Sequence, residues 1–356
     1  MINVTQPYLP PHGEYERYLK GIWERKWLTN HGPLVQELEE KLKNYLGVKH
    51  LLYVNNGTIA LQIALKALGV KGEIITTPFS YVATSNSILW EGCKPVFADI
   101  KNTDFNIDPQ KIESVITSDT VAILATHVYG NPCDIDAIEK IAAQHHLKVI
   151  YDGAHAFGAE LNGKQVLTFG DIATCSFHAT KIFHTIEGGA IITNDDELAK
   201  KMMLYRQFGH IGDDHFSIGI NGKSSEFHAA MGLCLLPMMK EFMAKRKSIA
   251  ALYERLLKDL PIQRPEAIAG TVYNYSYHPI IIDSEQRLLH IKSLLQKNNI
   301  SARRYFYPSL NNLPQCQGEV CPVSESISVR ALALPMYYEL EEADVKTICD
   351  LIKTCF

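Results

Sequence analysis

The strongest constraint in this chain is a rhythm of short apolar runs separated by longer amphipathic ones. Runs of strand length end at Asn55, Thr77, Asp99, Val128 and Tyr151, and another opens at Ala190. Between them, Ile59 to Leu68, Val82 to Glu91 and Asp134 to Leu147 carry apolar residues at helical spacing. Strands that are apolar almost throughout must be covered on both faces, and strands separated by helices pair in parallel through crossovers. The expectation is an α/β domain on a mostly parallel, seven-stranded sheet, with ligands gathered where the strands end.

A chain of 356 residues has room for a second domain. Tyr15 to Trp27 and Val35 to Leu46 read as helices that precede the rhythm, and a long helix from Met238 to Leu260 follows it. Beyond Pro261 the character changes. We expect a strand Tyr273 to Ile282, a helix Glu285 to Lys297, a strand Ala302 to Tyr305, a loop Pro308 to Pro322 and a helix Glu342 to Thr354. This divides the chain into a large domain, 1–237, and a smaller α+β domain, 238–356, with roughly the first 25 residues packing on the smaller one.

The formal net charge of −4 gives no electrostatic reason for nucleic acid or an anionic membrane as partner. No leader-like N-terminus and no apolar run long enough to span a membrane is visible, so a cytoplasmic protein is expected. The eight cysteines show no Cys-x-x-Cys spacing, which suggests neither a zinc site nor a disulfide framework, and no metal is expected.

Four strand ends carry chemistry. Asn56-Gly57-Thr58 joins a strand to a helix, and such a helix start offers backbone N–H groups and a positive dipole end to a phosphate. Tyr81 lies just past the next strand, where an aromatic ring can stack on a planar ligand. Asp152 emerges from the apolar Val149-Ile150-Tyr151, and an acid so placed needs a cationic partner, because burying it unpaired costs several kcal/mol. Lys181 follows Ser176-Phe177-His178-Ala179-Thr180 and is followed by Gly188-Gly189; a lysine held on both sides and desolvated would have its pKa lowered and become an imine-forming nucleophile. Each feature alone has an ordinary explanation: a capped helix, a core tyrosine, a solvated lysine. Together they match pyridoxal 5′-phosphate (PLP), which presents a phosphate, a flat ring, a basic ring nitrogen and an aldehyde.

The same motifs, Asn56-Gly57-Thr58, Asp152 to Gly158, Ser176-Phe177-His178 with Lys181 and Gly188-Gly189, and Asn221 with Glu226, resemble those of the DegT/DnrJ/EryC1/StrS sugar aminotransferases. The resemblance runs from Trp27-Leu28-Thr29 to Leu334-Pro335-Met336-Tyr337. It implies the aspartate aminotransferase (type I) PLP fold and a homodimer with shared active sites. By that resemblance Lys181 carries PLP and moves the substrate proton, and Asp152 keeps the pyridine nitrogen protonated. Thr58, Gly57 and Ser176 hold the phosphate and Tyr81 stacks on the ring. His155 stands near the phenolic oxygen, where many members carry Gln. Asn221 reaches the phosphate of the neighbouring subunit and His178 lies close to the substrate; Lys223 and Tyr307, in the segments expected to choose among sugars, are further substrate candidates. Ile186-Glu187 and Gly219-Ile220-Asn221-Gly222-Lys223 depart from the common Gly-Glu and Gly-Tyr-Asn-x-Arg patterns, at the rim of the site.

The activity so implied is transfer of an amino group from L-glutamate to a keto carbon of a nucleotide-linked deoxysugar. The opening Val-Thr-Gln-Pro-Tyr-Leu-Pro points to members that convert dTDP-4-dehydro-6-deoxy-D-glucose to dTDP-4-amino-4,6-dideoxy-D-glucose for O-antigen lipopolysaccharide synthesis. Amination of a 3-keto sugar or of a UDP- or GDP-linked one is the alternative. A PLP-binding regulator without turnover is a third reading. A dehydratase of the branch that replaces the lysine with histidine is opposed by Lys181 itself.

Overall fold

The computed structural model describes residues 1–316 and 318–356. The chain opens with α1 (His12–Arg25) and α2 (Pro33–Leu46), and then β1 (His50–Val54) leads through the Asn56 cap into α3 (Gly57–Leu68). Next come β2 (Glu73–Thr76), α4 (Ala83–Trp90), β3 (Lys94–Phe97), α5 (Pro109–Ser114), β4 (Thr120–Thr126), α6 (Ile135–His145) and β5 (Lys148–Asp152). A small hairpin of β6 (Glu160–Leu161) and β7 (Lys164–Gln165) precedes β8 (Ile172–Ser176) and β9 (Gly189–Thr193). After α7 (Asp196–Arg206) comes a second small hairpin, β10 (His210–Ile211) and β11 (Asp214–His215).

The seven-stranded sheet has the order β1-β9-β8-β5-β4-β2-β3. Only β9 runs against the others, pairing antiparallel with both β1 and β8. Its course depends on glycine, because a Cβ on Gly189 would stand 2.6 Å from the Asn56 carbonyl carbon and 2.9 Å from the Cys175 oxygen. The turn that begins α3 and the strand that ends before Lys181 are thereby drawn together. Apolar side chains from β1, β4, β5, β8 and β9 pack beneath α2 and α8 (Glu226–Leu235) on one face and against α3 on the other.

The long α9 (Met239–Leu256) belongs to two cores. Met239 and Phe242 join the core of the large sheet, whereas Ile249 to Leu257 pack with the C-terminal elements. The C-terminal elements are β12 (Thr271–Val272), β13 (His278–Ile281), α10 (Glu285–Lys297), α11 (Pro322–Arg330), β14 (Ala331–Leu334) and α12 (Glu342–Lys353), of which β13, α10, β14 and α12 share that core. The first residues are stitched to this region: Ile2 bridges Ile300, Val4 accepts the Met336 N–H, and Tyr8 packs edge-on to Phe242 and Tyr338. The α1 helix does not accompany them; Trp23 and Tyr15 pack on Phe227 of α8.

Two expected strands are corrected here. Tyr273 to Ile282 is not one strand: Thr271 and Val272 pair with β6, the chain turns through Tyr275 at φ 54°, and pairing resumes only at His278. The Asn274 side chain fixes that turn by donating to the carbonyls of His155 and Phe157. Ala302 to Tyr305 makes only one bridge, Arg303 to Ala333, on the edge of β14 that β13 leaves open. The β14 sequence Ala-Leu-Ala-Leu has helical propensity and is made a strand by pairing with β13. Among the described residues no helix is long and apolar enough to cross a membrane. All eight cysteines are free, and six are buried.

Burial of His127 is expected to make the fold acid-sensitive. His127 is fully enclosed, stacks on Tyr151 at 4.8 Å, and accepts the Cys133 N–H at Nδ1. Burial pushes its pKa from 6.5 down to about 3. The unfolded chain therefore takes up a proton between these values that the folded protein refuses, so stability falls as pH drops through that window. Urea unfolding of a His127→Asn protein is expected to lose about 2 kcal/mol less than the wild type between roughly pH 7 and pH 5. An equal loss in both proteins would remove His127 as the cause.

Candidate active site

A cavity of about 280 Å³ opens at the C-terminal ends of β1, β2, β5 and β8. Gly57, Thr58, Tyr81, Asp152, His155, Ser176, His178 and Lys181 all line it, so eight of the residues nominated from the sequence share one space. Helix geometry leaves the Gly57 and Thr58 N–H groups without intrahelical partners, while the Asn56 side chain takes the Ile59 N–H. The Gly57 position would put a Cβ 2.9 Å from that of Ser176, so helix start and strand end meet closely only because Gly57 has no side chain.

Lys181 is held from both flanks. Its N–H donates to the His178 carbonyl at 2.9 Å, and Phe177 donates to Gly188 at 2.8 Å while accepting the Thr185 N–H. The Lys181 amine donates to the Tyr277 hydroxyl at 3.2 Å. Burial works against the ammonium form, but Tyr277 and the carboxyl of Asp152 favour it, so the amine is held above its ordinary value. That corrects the expectation of a lowered pKa: desolvation is present, and the groups facing the amine outweigh it.

Asp152 is buried at the end of β5. Its carboxylate accepts the Thr84 hydroxyl at 3.0 Å and the Ala154 N–H at 3.0 Å. Thr84 is tied to Ser80 and Ser80 to Thr126, which links the acid to α4 and β4. Burial raises the Asp152 carboxyl above its usual range, opposed by the Ala154 and Thr84 hydrogen bonds and by Lys181. Burial also holds the His155 imidazole well below its ordinary value, helped by the nearby Lys181 charge, so it is neutral. The His155 ring is stacked on Phe306 at 5.3 Å and meets Tyr277 edge-on at 5.0 Å.

Three nominated residues lie elsewhere. The Lys223 amine sits 4.4 Å above the Phe208 ring, outside the cavity. Tyr307 is exposed under the Arg304 guanidinium, because Phe306 rather than its successor turns inward. Asn221 bridges Gln207 and accepts from Asn55 through its carbonyl, away from this chain's own cavity. Conversely, Tyr277, Arg303, Tyr305 and Phe306 line the cavity without having stood out in the sequence. They come from the C-terminal third, about a hundred residues from Lys181, and no local motif announces them. Glu187, which faces His178 Nε2 at 3.5 Å, stands out in the sequence only as a neighbour of the glycine pair.

A solved structure of DesI in the presence of its TDP-sugar product matches with a TM-score of 0.95 and 31% identity, covering 99% of this chain and 92% of that one. The solved Helicobacter pylori PseC, an aminotransferase involved in the biosynthesis of pseudoaminic acid, matches with a TM-score of 0.93 and 31% identity, covering 100% of this chain and 99% of that one, and with the family match that follows this makes the protein an aminotransferase of the aspartate aminotransferase (type I) fold. The chain belongs to the DegT/DnrJ/EryC1/StrS aminotransferase family, whose model matches residues 12–353. It is 46% identical over 360 residues to the dTDP-4-amino-4,6-dideoxy-D-glucose transaminase of Shigella dysenteriae, covering 99% of this chain and 98% of that protein. Similarity to the GDP-perosamine synthase of Vibrio cholerae is lower, at 32% over 367 residues, with 100% and 99% covered.

Proposed function

We propose that the protein uses PLP to transfer an amino group from L-glutamate to dTDP-4-dehydro-6-deoxy-D-glucose, yielding dTDP-4-amino-4,6-dideoxy-D-glucose. The observation that carries this reading is the convergence of the Lys181 amine, the Asp152 carboxyl and the open start of α3 on one cavity. The choice of sugar and carrier rests on the 46% identity to the Shigella transaminase. A cytoplasmic location and a role in O-antigen synthesis belong to the same reading.

The residues present fit PLP. Gly57 and Thr58 N–H groups and the Ser176 hydroxyl would receive the phosphate, Asp152 the ring nitrogen, and Lys181 the aldehyde. His155 Nδ1 and Thr174 Oγ1 are buried without partners, as expected of polar atoms that face a polar ligand. When bound, PLP supplies an electron-accepting ring next to the carbon whose proton is moved. Lys181 Nζ, steered by the Tyr277 hydroxyl, would take that proton from the substrate carbon and hand it to the cofactor carbon within the first half of the cycle, and would run the same transfer in the opposite direction in the second. The Asp152 carboxylate, fixed by Thr84 and Ala154, would keep a proton on the ring nitrogen. The neutral His155 would offer a hydrogen bond without adding charge.

A homodimer completes the proposal: Asn221 would serve the partner's site, and Phe208, Ile211, Phe216, Ile218 and Ile220 around it are exposed apolar residues suited to burial. A monomer by light scattering would remove this part. The decisive experiment is an amine-transfer screen with L-glutamate against 3-keto and 4-keto deoxysugars on dTDP, UDP and GDP, with product regiochemistry read by NMR. Transfer to C4 of the dTDP sugar is expected, and preference for a GDP-linked or 3-keto acceptor would overturn the assignment.

A further inference from the structure

Arg303 is built differently from its neighbour. The Arg304 guanidinium donates to Glu285 at 2.6 Å and to the Val329 carbonyl at 3.1 Å, which ties it to α10 and α11. Arg303, which points the other way along an extended segment, lines the active cavity and forms no ion pair among the described residues. Its position is nevertheless fixed. Its N–H donates to the Ala333 carbonyl at 3.2 Å, its carbonyl accepts the Ala333 N–H at 2.8 Å, and its guanidinium rests 4.9 Å from the centroid of the Tyr305 ring. Among the lining residues the only other lysine or arginine is Lys181, whose amine is committed to Tyr277.

An exposed arginine held by backbone and ring but lacking an acid is prepared for an external oxyanion, and its planar fork of donors suits a phosphate group. We propose that Arg303 binds the diphosphate of the nucleotide sugar, which makes the C-terminal domain a carrier of substrate recognition. The inference rests on the nucleotide-sugar reading above. With the keto carbon at Lys181, a whole sugar ring separates the reacting atom from the diphosphate, which brings that anion to the rim where Arg303 stands. The α-carboxylate of glutamate, by contrast, is bonded to the reacting carbon and stays deep.

The test is calorimetric binding of dTDP, UDP, GDP and thymidine to the PLP-loaded protein, together with single-turnover reaction with L-glutamate alone. For Arg303→Ala, affinity for the preferred diphosphate is expected to fall roughly 10- to 100-fold, with partial recovery in Arg303→Lys. The glutamate half-reaction should stay within about twofold of the wild type. An unchanged diphosphate affinity would overturn the proposal. So would an equal loss for thymidine, which marks a damaged cavity, or an equal loss of the glutamate half-reaction, which assigns Arg303 to the amino donor. A wild-type protein that binds none of the three diphosphates would sink the nucleotide-sugar reading itself.

Discussion

A Lys181→Ala protein is expected to lose amino transfer by roughly a thousandfold to ten-thousandfold while folding normally. The loss is large because one side chain would both carry the cofactor and move the proton, and no second amine lines the cavity. Folding should survive because the turn is held by main-chain bonds of Phe177, Lys181 and Thr185, and the side chain gives up only its bond to Tyr277. Borohydride treatment and subsequent peptide mapping supply the independent check. The wild type should yield PLP fixed to Lys181 and the variant none. A variant that turned over at the wild-type rate would end the proposed mechanism.

For Asp152→Asn, the expected result is a loss of roughly a hundredfold or more in rate with PLP still bound. An amide cannot keep the ring nitrogen protonated. It also presents an NH₂ group to either the Thr84 hydroxyl or the Ala154 N–H, both of which are placed to donate. Phosphate and amine attachments are untouched, so cofactor content, read by absorbance, should remain near the wild-type value. Unimpaired turnover would show that the acid plays no part in the chemistry, whereas loss of PLP would assign it to binding instead.

The large sheet and much of the cavity were legible in the sequence for the same reason. Parallel strands such as Val149-Ile150-Tyr151 are apolar throughout, so the first polar or glycine residues beyond them mark a strand end, which is where Gly57, Asp152 and Ser176 are found. The C-terminal region was less legible because its strands are defined by partners and not by pattern. Tyr273 to Tyr277 has the composition of a strand, but Asn274 is captured by the His155 and Phe157 carbonyls, and that capture carries Tyr277 to Lys181. Likewise, nothing local distinguishes Arg303 from Arg304, or Phe306 from Tyr307: Arg303, Tyr305 and Phe306 line the cavity while Arg304 is held by Glu285 and Tyr307 is exposed, an order that strict strand alternation does not give. The raised pKa of Lys181 was hidden in the same way, since Tyr277 supplies it from almost a hundred residues away.

The stitching of residues 2 to 8 onto the C-terminal core has a consequence for how the protein can be made and cut. A ribosome delivers Ile2 and Val4 long before Ile300 and Met336 exist, so the leading segment must wait, unpaired, until synthesis is nearly over. No single cleavage in α9 would release two complete halves, because the C-terminal fragment would lack the segment that pairs beside Ile300 and caps Met336. Such a fragment is expected to need a peptide of residues 1–8 in trans before its amide protons resist exchange, and a fragment equally protected without it would show the strap to be dispensable.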